Sequence, residues 1–345
     1  MPVHLLTSPA DLDRYEVWLK DSGLGNLWQS LEHKAYLEAL GTEVRIYTSE
    51  DNGHPVDRSL SAGGIRASAL VMIDRTTGGY CTWEIPRGPL CEVENGKRKT
   101  ENFMKSLIET IIEDAKNNKC LALYVSPPNQ EFFIHFPLST FRSSRRLVHC
   151  EATRIIDLTL SEEEILSQMK QKGRYNIKVA RKSGVTVKES TDIDAFYDLV
   201  QHTGKRDGFV SLSKKKYQAF LDHLPGSFLL LAYDKQTEPI AGVLSVIWGK
   251  RLIYYYGASN HAQRAKMAPY LLQWESMCIG KAKGCTEYDL LGIAPENANP
   301  DHPWTGISSF KEKFGGEVVT YPKEKMIVLK PMMYHLLRMK RAILG

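Results

Sequence analysis

The chain has 345 residues, of which 43% are hydrophobic and 25% charged, with a formal net charge of +5. That balance excludes a disordered or fibrous chain, and the length suggests two domains of ordinary size. The longest mostly apolar run, Ile240 to Trp248, is about half of what a bilayer span needs, and no cationic head precedes an apolar stretch at the N-terminus, so neither a span nor a signal peptide is expected.

In chain order, Asp11 to Lys20 and Trp28 to Leu40 predict helices, with Gly41 as a stop. Strands follow at Glu43 to Thr48, Ile65 to Ile73 and Tyr80 to Ile85. Phe103, Leu107, Ile108, Ile111, Ile112 and Ala115 then recur at helical spacing, before an apolar strand at Leu121 to Val125. The second half repeats this order. Helices are predicted at Ile193 to Thr203 and Lys214 to His223, and strands at Phe228 to Tyr233, Ile240 to Ile247 and Leu252 to Gly257. A helix carrying Leu271, Trp274, Cys278 and Ala282 stops near Gly284, and the strand Tyr288 to Leu291 closes the unit. Antiparallel strands, then a helix and a returning strand, give a mixed α/β sheet in the manner of an N-acetyltransferase, used twice. The boundary is expected near Cys150, with domains at 1–150 and 151–323. A closing helix over 324–345 is expected to return to the first domain.

Between the halves, Ala152 to Leu158 reads as a strand, and Ser161 with Glu164 forms a capping box. The helix that it opens runs into MKQKGRYNIKVARKSG, with six cations (Lys170, Lys172, Arg174, Lys178, Arg181, Lys182) and no acidic residue from Ile165 through Lys188. Helical spacing puts Arg174, Lys178 and Arg181 on one face. Stacked like charges repel by a few tenths of a kcal/mol per pair; a polyanion repays that cost, although a solvated helix face is the ordinary alternative.

An acyl-coenzyme A loop needs a central glycine so that backbone N–H groups can reach the pyrophosphate. The corresponding stretch reads Gln263-Arg264-Ala265-Lys266-Met267-Ala268, with Lys266 in the glycine's place and Pro269 removing a donor. Another acyl carrier is therefore expected, and no cofactor. Six scattered cysteines (Cys81, Cys91, Cys120, Cys150, Cys278, Cys285) and ten histidines show no ligand spacing, so no metal is expected, and the thiols read as reduced and cytosolic. In TGISSFKEKFGG, Ile307, Phe310 and Phe314 predict a buried stripe, with Lys311 at its rim after a loop holding Asp301, His302 and Trp304. A lysine there lines a cleft or snorkels to solvent. Strand alternation places Tyr254 and Tyr256 on one face.

The stretches WQSLEHKAYLEALG, IPRGPL, RIIDLTLSEEEILSQMKQKGRYNIKVARKSGV, KRDGF, YYYGAS, APYLLQWESM, YDLLGI and HPWTGISSFKEKFGGEV cover almost the whole chain. In content and order they resemble the Fem-type peptidoglycan bridge-forming aminoacyltransferases, in the compact form without a helical arm, since Ser259 runs into Ala268. The resemblance implies two tandem acetyltransferase-like (GNAT-like) domains and no coiled-coil arm. It implies an aminoacyltransferase that takes an amino acid from aminoacyl-tRNA to an amine of the stem peptide of a cell-wall precursor. Catalytic roles are expected for Lys311 and Tyr256, and substrate binding for Tyr254, Phe310, Trp304, Arg87 and Arg206. Lys172, Arg174, Lys178 and Arg181 are assigned to the tRNA acceptor arm on their charge, not on the resemblance. The resemblance implies a basic residue at Leu37 and at Leu212 in members that use a nucleotide-linked precursor, and an acidic residue at Ser126 in many members; these departures leave a lipid-linked acceptor open beside the nucleotide-linked one. A cytoplasmic location is expected, with peripheral contact at the inner face of the membrane open. The competing readings are an N-acyltransferase acting on a protein N-terminus or a small-molecule amine, and a non-catalytic RNA-binding relative.

Overall fold

A computed structural model of the chain describes residues 1–51, 64–92, 97–137, 139–207, 211–235 and 238–344. The chain divides into two compact units, one made of Met1–His149 and Tyr321–Gly345, the other of Cys150–Thr320.

The first unit is built on an eight-stranded sheet. Its order is Val3–Leu5, Glu43–Glu50, Ile65–Thr77, Tyr80–Pro86, Cys120–Ser126, Lys325–Val328 and Arg142–Ser143, with Leu90–Cys91 paired off this path to Ile65–Thr77. Neighbours are antiparallel except Tyr80–Pro86 with Cys120–Ser126, which run parallel because the helix Lys97–Asn117 carries the chain back between them. Phe103, Leu107, Ile108, Ile111 and Ala115 form that helix's buried face, packed with Trp83, Ile85, Leu123 and Val125. Ser8 caps the helix Pro9–Asp21 by accepting the Asp11 N–H at 3.2 Å. The helix expected from Trp28 to Leu40 is interrupted. Leu27–Gln29 is a 3₁₀ turn, and Ser30, in extended conformation, starts a separate helix at Leu31–Ala39. The closing helix is shorter than expected as well. Lys325–Val328, an apolar β-branched run, is a strand, and the helix occupies Pro331–Leu344.

The second unit is a seven-stranded sheet in the order Glu317–Thr320, Ala152–Asp157, Glu287–Asp289, Arg251–Ser259, Pro239–Trp248, Ser227–Tyr233 and Thr186–Ser190. Here too one pair is parallel, Arg251–Ser259 with Glu287–Asp289, joined through the helix Ala268–Ala282. That helix and Gln171–Lys182 pack Ile177, Ala180, Leu271 and Trp274 onto Phe228, Leu230, Leu252 and Tyr288. Helices Ile193–Asp207 and Lys214–His223 cover the other face, where Phe196 and Phe220 are fully buried. The capping box forms as expected: the Ser161 hydroxyl accepts the Glu164 N–H, and Glu164 accepts the Ser161 N–H. The strand Arg251–Ser259 passes through a short turn, His261–Lys266, straight into Ala268–Ala282, so no arm is inserted there. The repeated layout is acetyltransferase-like in both units. Among the described residues, no helix is long and apolar enough to cross a membrane.

Candidate active site

The parallel pairing in the second unit ends at Ile253 and Asp289. Beyond those residues the two strands part, and the causes are local. The strand Arg251–Ser259 bulges, pairing Tyr254 with Ser245 and Tyr256 with Leu244, so that Tyr255 is extra. On the other strand Leu291 takes a left-handed φ of 52°. Asp289 holds that turn, its Oδ1 accepting the Leu291 N–H at 2.8 Å and the Thr153 hydroxyl. The Asp289 Oδ2 is buried and has no hydrogen-bond partner among the described residues.

Lys311 fills the opening. It ends the helix Thr305–Lys311, and its Nζ donates to the carbonyls of Leu291 at 3.1 Å and Gly292 at 2.8 Å. The Nζ also stands 5.4 Å from the centroid of the Tyr254 ring. The sequence placed this lysine at a rim, but it is 6% exposed. Burial pushes its ammonium down to about 8, only partly opposed by Cys150 and Asp289. Two of its three N–H bonds are spent on carbonyls, which leaves one for another acceptor. Tyr254 is half-buried, its hydroxyl pushed up to about 12 by desolvation and without a hydrogen-bond partner among the described residues. A Cβ at Gly257 would lie 1.9 Å from that hydroxyl, so glycine there is what lets the ring lie as it does.

Tyr256 does not join this site. The bulge reverses the alternation, so Tyr254 and Tyr256 face opposite sides of the sheet. Tyr256 instead packs edge-on against Tyr217 at 5.0 Å and Phe220 at 5.7 Å. The expected apolar stripe is also incomplete. The helix tightens after Lys311 into the 3₁₀ turn Glu312–Phe314, which buries Phe314 but leaves Ile307 37% exposed. Phe310 packs between Tyr270 and Phe314, with both ring centroids at 5.1 Å. Trp304 lies against Gly292, where a Cβ would meet its ring at 3.2 Å. Phe310 thus braces the turn Glu312–Phe314 that follows Lys311, and Trp304 lies beside Gly292, whose carbonyl accepts from Lys311.

The basic helix Gln171–Lys182 abuts the same turn. A Cβ at Gly173 would lie 2.3 Å from the Lys313 carbonyl, the Lys170 N–H donates to that carbonyl at 3.1 Å, and Lys170 pairs with Glu312. The four cations singled out there are not equivalent. Arg174 is half-buried, its guanidinium donating to the carbonyls of Met169, Leu166 and Ser167 and so capping the helix Glu162–Gln168. Arg181 pairs with Glu275 at 3.3 Å. Lys172 and Lys178 are exposed and have no acidic partner among the described residues. In the degenerate coenzyme loop, Lys266 is tied to Asp234 at 2.7 Å, and Met267 adopts a left-handed φ of 52°.

Arg87 belongs to the first unit. It is 4% exposed, with its guanidinium 3.6 Å from the Tyr321 ring centroid and 5.8 Å from that of Trp28. The Arg206 side chain lies outside the described residues. The first unit also holds a charge cluster, buried at Glu324 and half-buried at Glu84, Arg146 and His149, that the sequence reading missed. Arg146 bridges Glu84 at 2.7 Å and Glu324 at 2.6 Å, and His149 meets Glu84 at 2.5 Å. The Ser126 hydroxyl donates to Glu324 at 3.4 Å, so the residue just before the strand Lys325–Val328 brings a carboxylate to the end of Cys120–Ser126. These partners are 62 to 198 residues apart, and spacing could not have shown them.

Comparison with known proteins bears on the family and the fold. The FemAB family model matches residues 145–233 and 229–341. A lipid II:glycine glycyltransferase of Staphylococcus saprophyticus is 20% identical, over 70% of this chain and 77% of its own. The Staphylococcus haemolyticus protein of the same name is 22% identical, over 74% and 81%. Among solved structures, FemX superposes with a TM-score of 0.77 at 18% identity, covering 97% of this chain and 99% of its own. A tandem GNAT protein from clavulanic acid biosynthesis gives 0.55 at 10% identity, covering 95% and 98%. Both share the fold of this chain.

Proposed function

Because the chain belongs to the FemAB family, we propose that it is an aminoacyltransferase that moves an amino acid from aminoacyl-tRNA to an amine of a peptidoglycan precursor. The observation that carries this reading is the enclosed Lys311 ammonium, held by two carbonyls beside the Tyr254 ring. Attack of an amine on an ester needs stabilisation of the oxyanion and a proton for the leaving oxygen. An aminoacyl ester is already activated, so no protein nucleophile is required. In this reading, the third N–H of Lys311 stabilises negative charge on the ester carbonyl or the 3′-terminal phosphate. The Tyr254 hydroxyl is a second donor at the same opening. Phe310 fixes the turn beneath Lys311, and Trp304 walls the site at Gly292. Lys172 and Lys178 would meet the tRNA backbone beside that turn.

Relatives named lipid II:glycine glycyltransferase support a lipid-linked acceptor. The uncharged Leu37 and Leu212 support the same choice over a nucleotide-linked one. The chain would then work at the inner face of the membrane. The test is incubation of the purified chain with charged tRNAs and either lipid-linked or nucleotide-linked muropeptide, with product mass as the readout. An adduct of one or more aminoacyl residues on the lipid-linked acceptor is expected. Deacylation with no adduct on either acceptor overturns the proposal.

A further inference from the structure

The helix Pro331–Leu344 packs Tyr334 against a small cluster of Ala122, Tyr124 and Met326. Its other side is also apolar. Met332 is 90% exposed, Leu336 55% and Met339 58%, and their spacing aligns them in one stripe. Ile343 continues the spacing in the sequence. A helix resting on a core by one face alone shows water a polar face, so this second stripe calls for a cover. The charge of this segment names one. Lys330 stands just before the helix, Arg338, Lys340 and Arg341 lie within it, and no acidic residue occurs from Lys325 to Gly345. Neither Lys330 nor Arg338 has a carboxylate partner among the described residues.

We propose that this helix docks the protein on an anionic membrane surface, with Met332, Leu336 and Met339 entering the headgroup region and the cations meeting lipid phosphates. A bilayer of anionic lipid supplies both an apolar layer and negative charge to a helix lying in its plane. A second copy of the chain does so poorly, because a two-fold contact would set the same cationic rim against itself. The inference does not depend on which acceptor or donor the enzyme uses.

Cosedimentation of the whole protein with vesicles tests it without any activity assay. Wild-type protein is expected to bind vesicles of phosphatidylethanolamine with phosphatidylglycerol, to be released as salt rises, and to ignore phosphatidylcholine vesicles. The triple variant Met332→Gln, Leu336→Gln, Met339→Gln changes only exposed positions, so its melting temperature should hold. Its vesicle binding should fall at least about tenfold. Three results overturn the proposal: wild-type protein that stays in the supernatant, a triple variant that binds as tightly, or a wild-type dimer that the same substitutions dissociate.

Discussion

At the scale of single residues, an ammonium ion withdrawn from water is costly unless its surroundings repay it. Around Lys311 the repayment is two carbonyls, presented by a turn that Asp289 holds at positive φ. Lys311→Met keeps the apolar stem and removes the charge. Steady-state transfer is expected to drop about 10²–10³-fold. Stability should stay within about 1 kcal/mol, since losing the buried charge offsets two unpaired carbonyls. The protonated form is the useful one, so wild-type kcat/KM should decline as pH rises through about 8. The residual activity of Lys311→Met should lack that decline. Tyr254→Phe removes a hydroxyl that has no hydrogen-bond partner among the described residues, so transfer should fall about tenfold or more with the melting temperature unchanged. Wild-type rates in both variants would move the reaction centre elsewhere.

At the scale of elements, the cations of the basic helix divide into those with structural partners and those without an acidic partner among the described residues. The start of the helix is structural: Gly173 sits against the Lys313 carbonyl and Arg174 caps the preceding helix. Gly173→Ala should therefore cost about 1–3 kcal/mol in chemical unfolding, and Arg174→Gln about 1 kcal/mol, whatever the helix binds. Lys172 and Lys178 have no such structural duty. Reversing both to Glu should weaken tRNA binding and flatten its dependence on log salt by up to about 0.9 per lost phosphate contact. An unchanged slope would leave both lysines merely solvated. The sequence alone makes all these cations look alike, because it shows charge and spacing but not the carbonyls that Arg174 finds. The shared face expected of Tyr254 and Tyr256 fails for a related reason. Alternation holds only while a strand has one residue per partner, and the extra Tyr255 is invisible without the facing strand. Lys311 shows in the sequence as a cation beside an apolar stripe, but its depth depends on Leu291 and Gly292, about twenty residues away.

At the scale of the whole molecule, the periodic core helices and the strands around them were legible because each buries a continuous apolar face. The edge strands Thr186–Ser190 and Glu317–Thr320 were not, since most of their residues are exposed and leave no hydrophobic signal. Buried polar groups in the first unit also set its response to acid. Burial holds the His33 imidazole down to about 4, so between its ordinary 6.5 and that value the unfolded chain takes up a proton that the folded one refuses. Stability should fall across that window by roughly 3 kcal/mol, and His33→Gln should remove the slope. For Glu84, burial alone would raise the carboxyl, but His149 and Arg146 outweigh it and hold the group at about 2. Its contribution is present above about 4.5 and is lost as pH falls through about 2. Denaturant unfolding at a series of pH values reads both, and a flat profile from 6.5 to 4 would contradict the assignment to His33.

The strand Lys325–Val328 has a consequence for how the protein comes into being. It pairs with Cys120–Ser126 and Arg142–Ser143, residues made long before it. While the ribosome is still translating the second unit, the first therefore waits with one flank of its central strands bare and the Glu84 and Arg146 side chains without Glu324. The second unit, continuous from Cys150 to Thr320, has no such wait. Folding in the cell should therefore run against the order of synthesis, with the later-made half settling first. Nascent chains arrested just after Thr320 should be protease-resistant in that half and sensitive in the other.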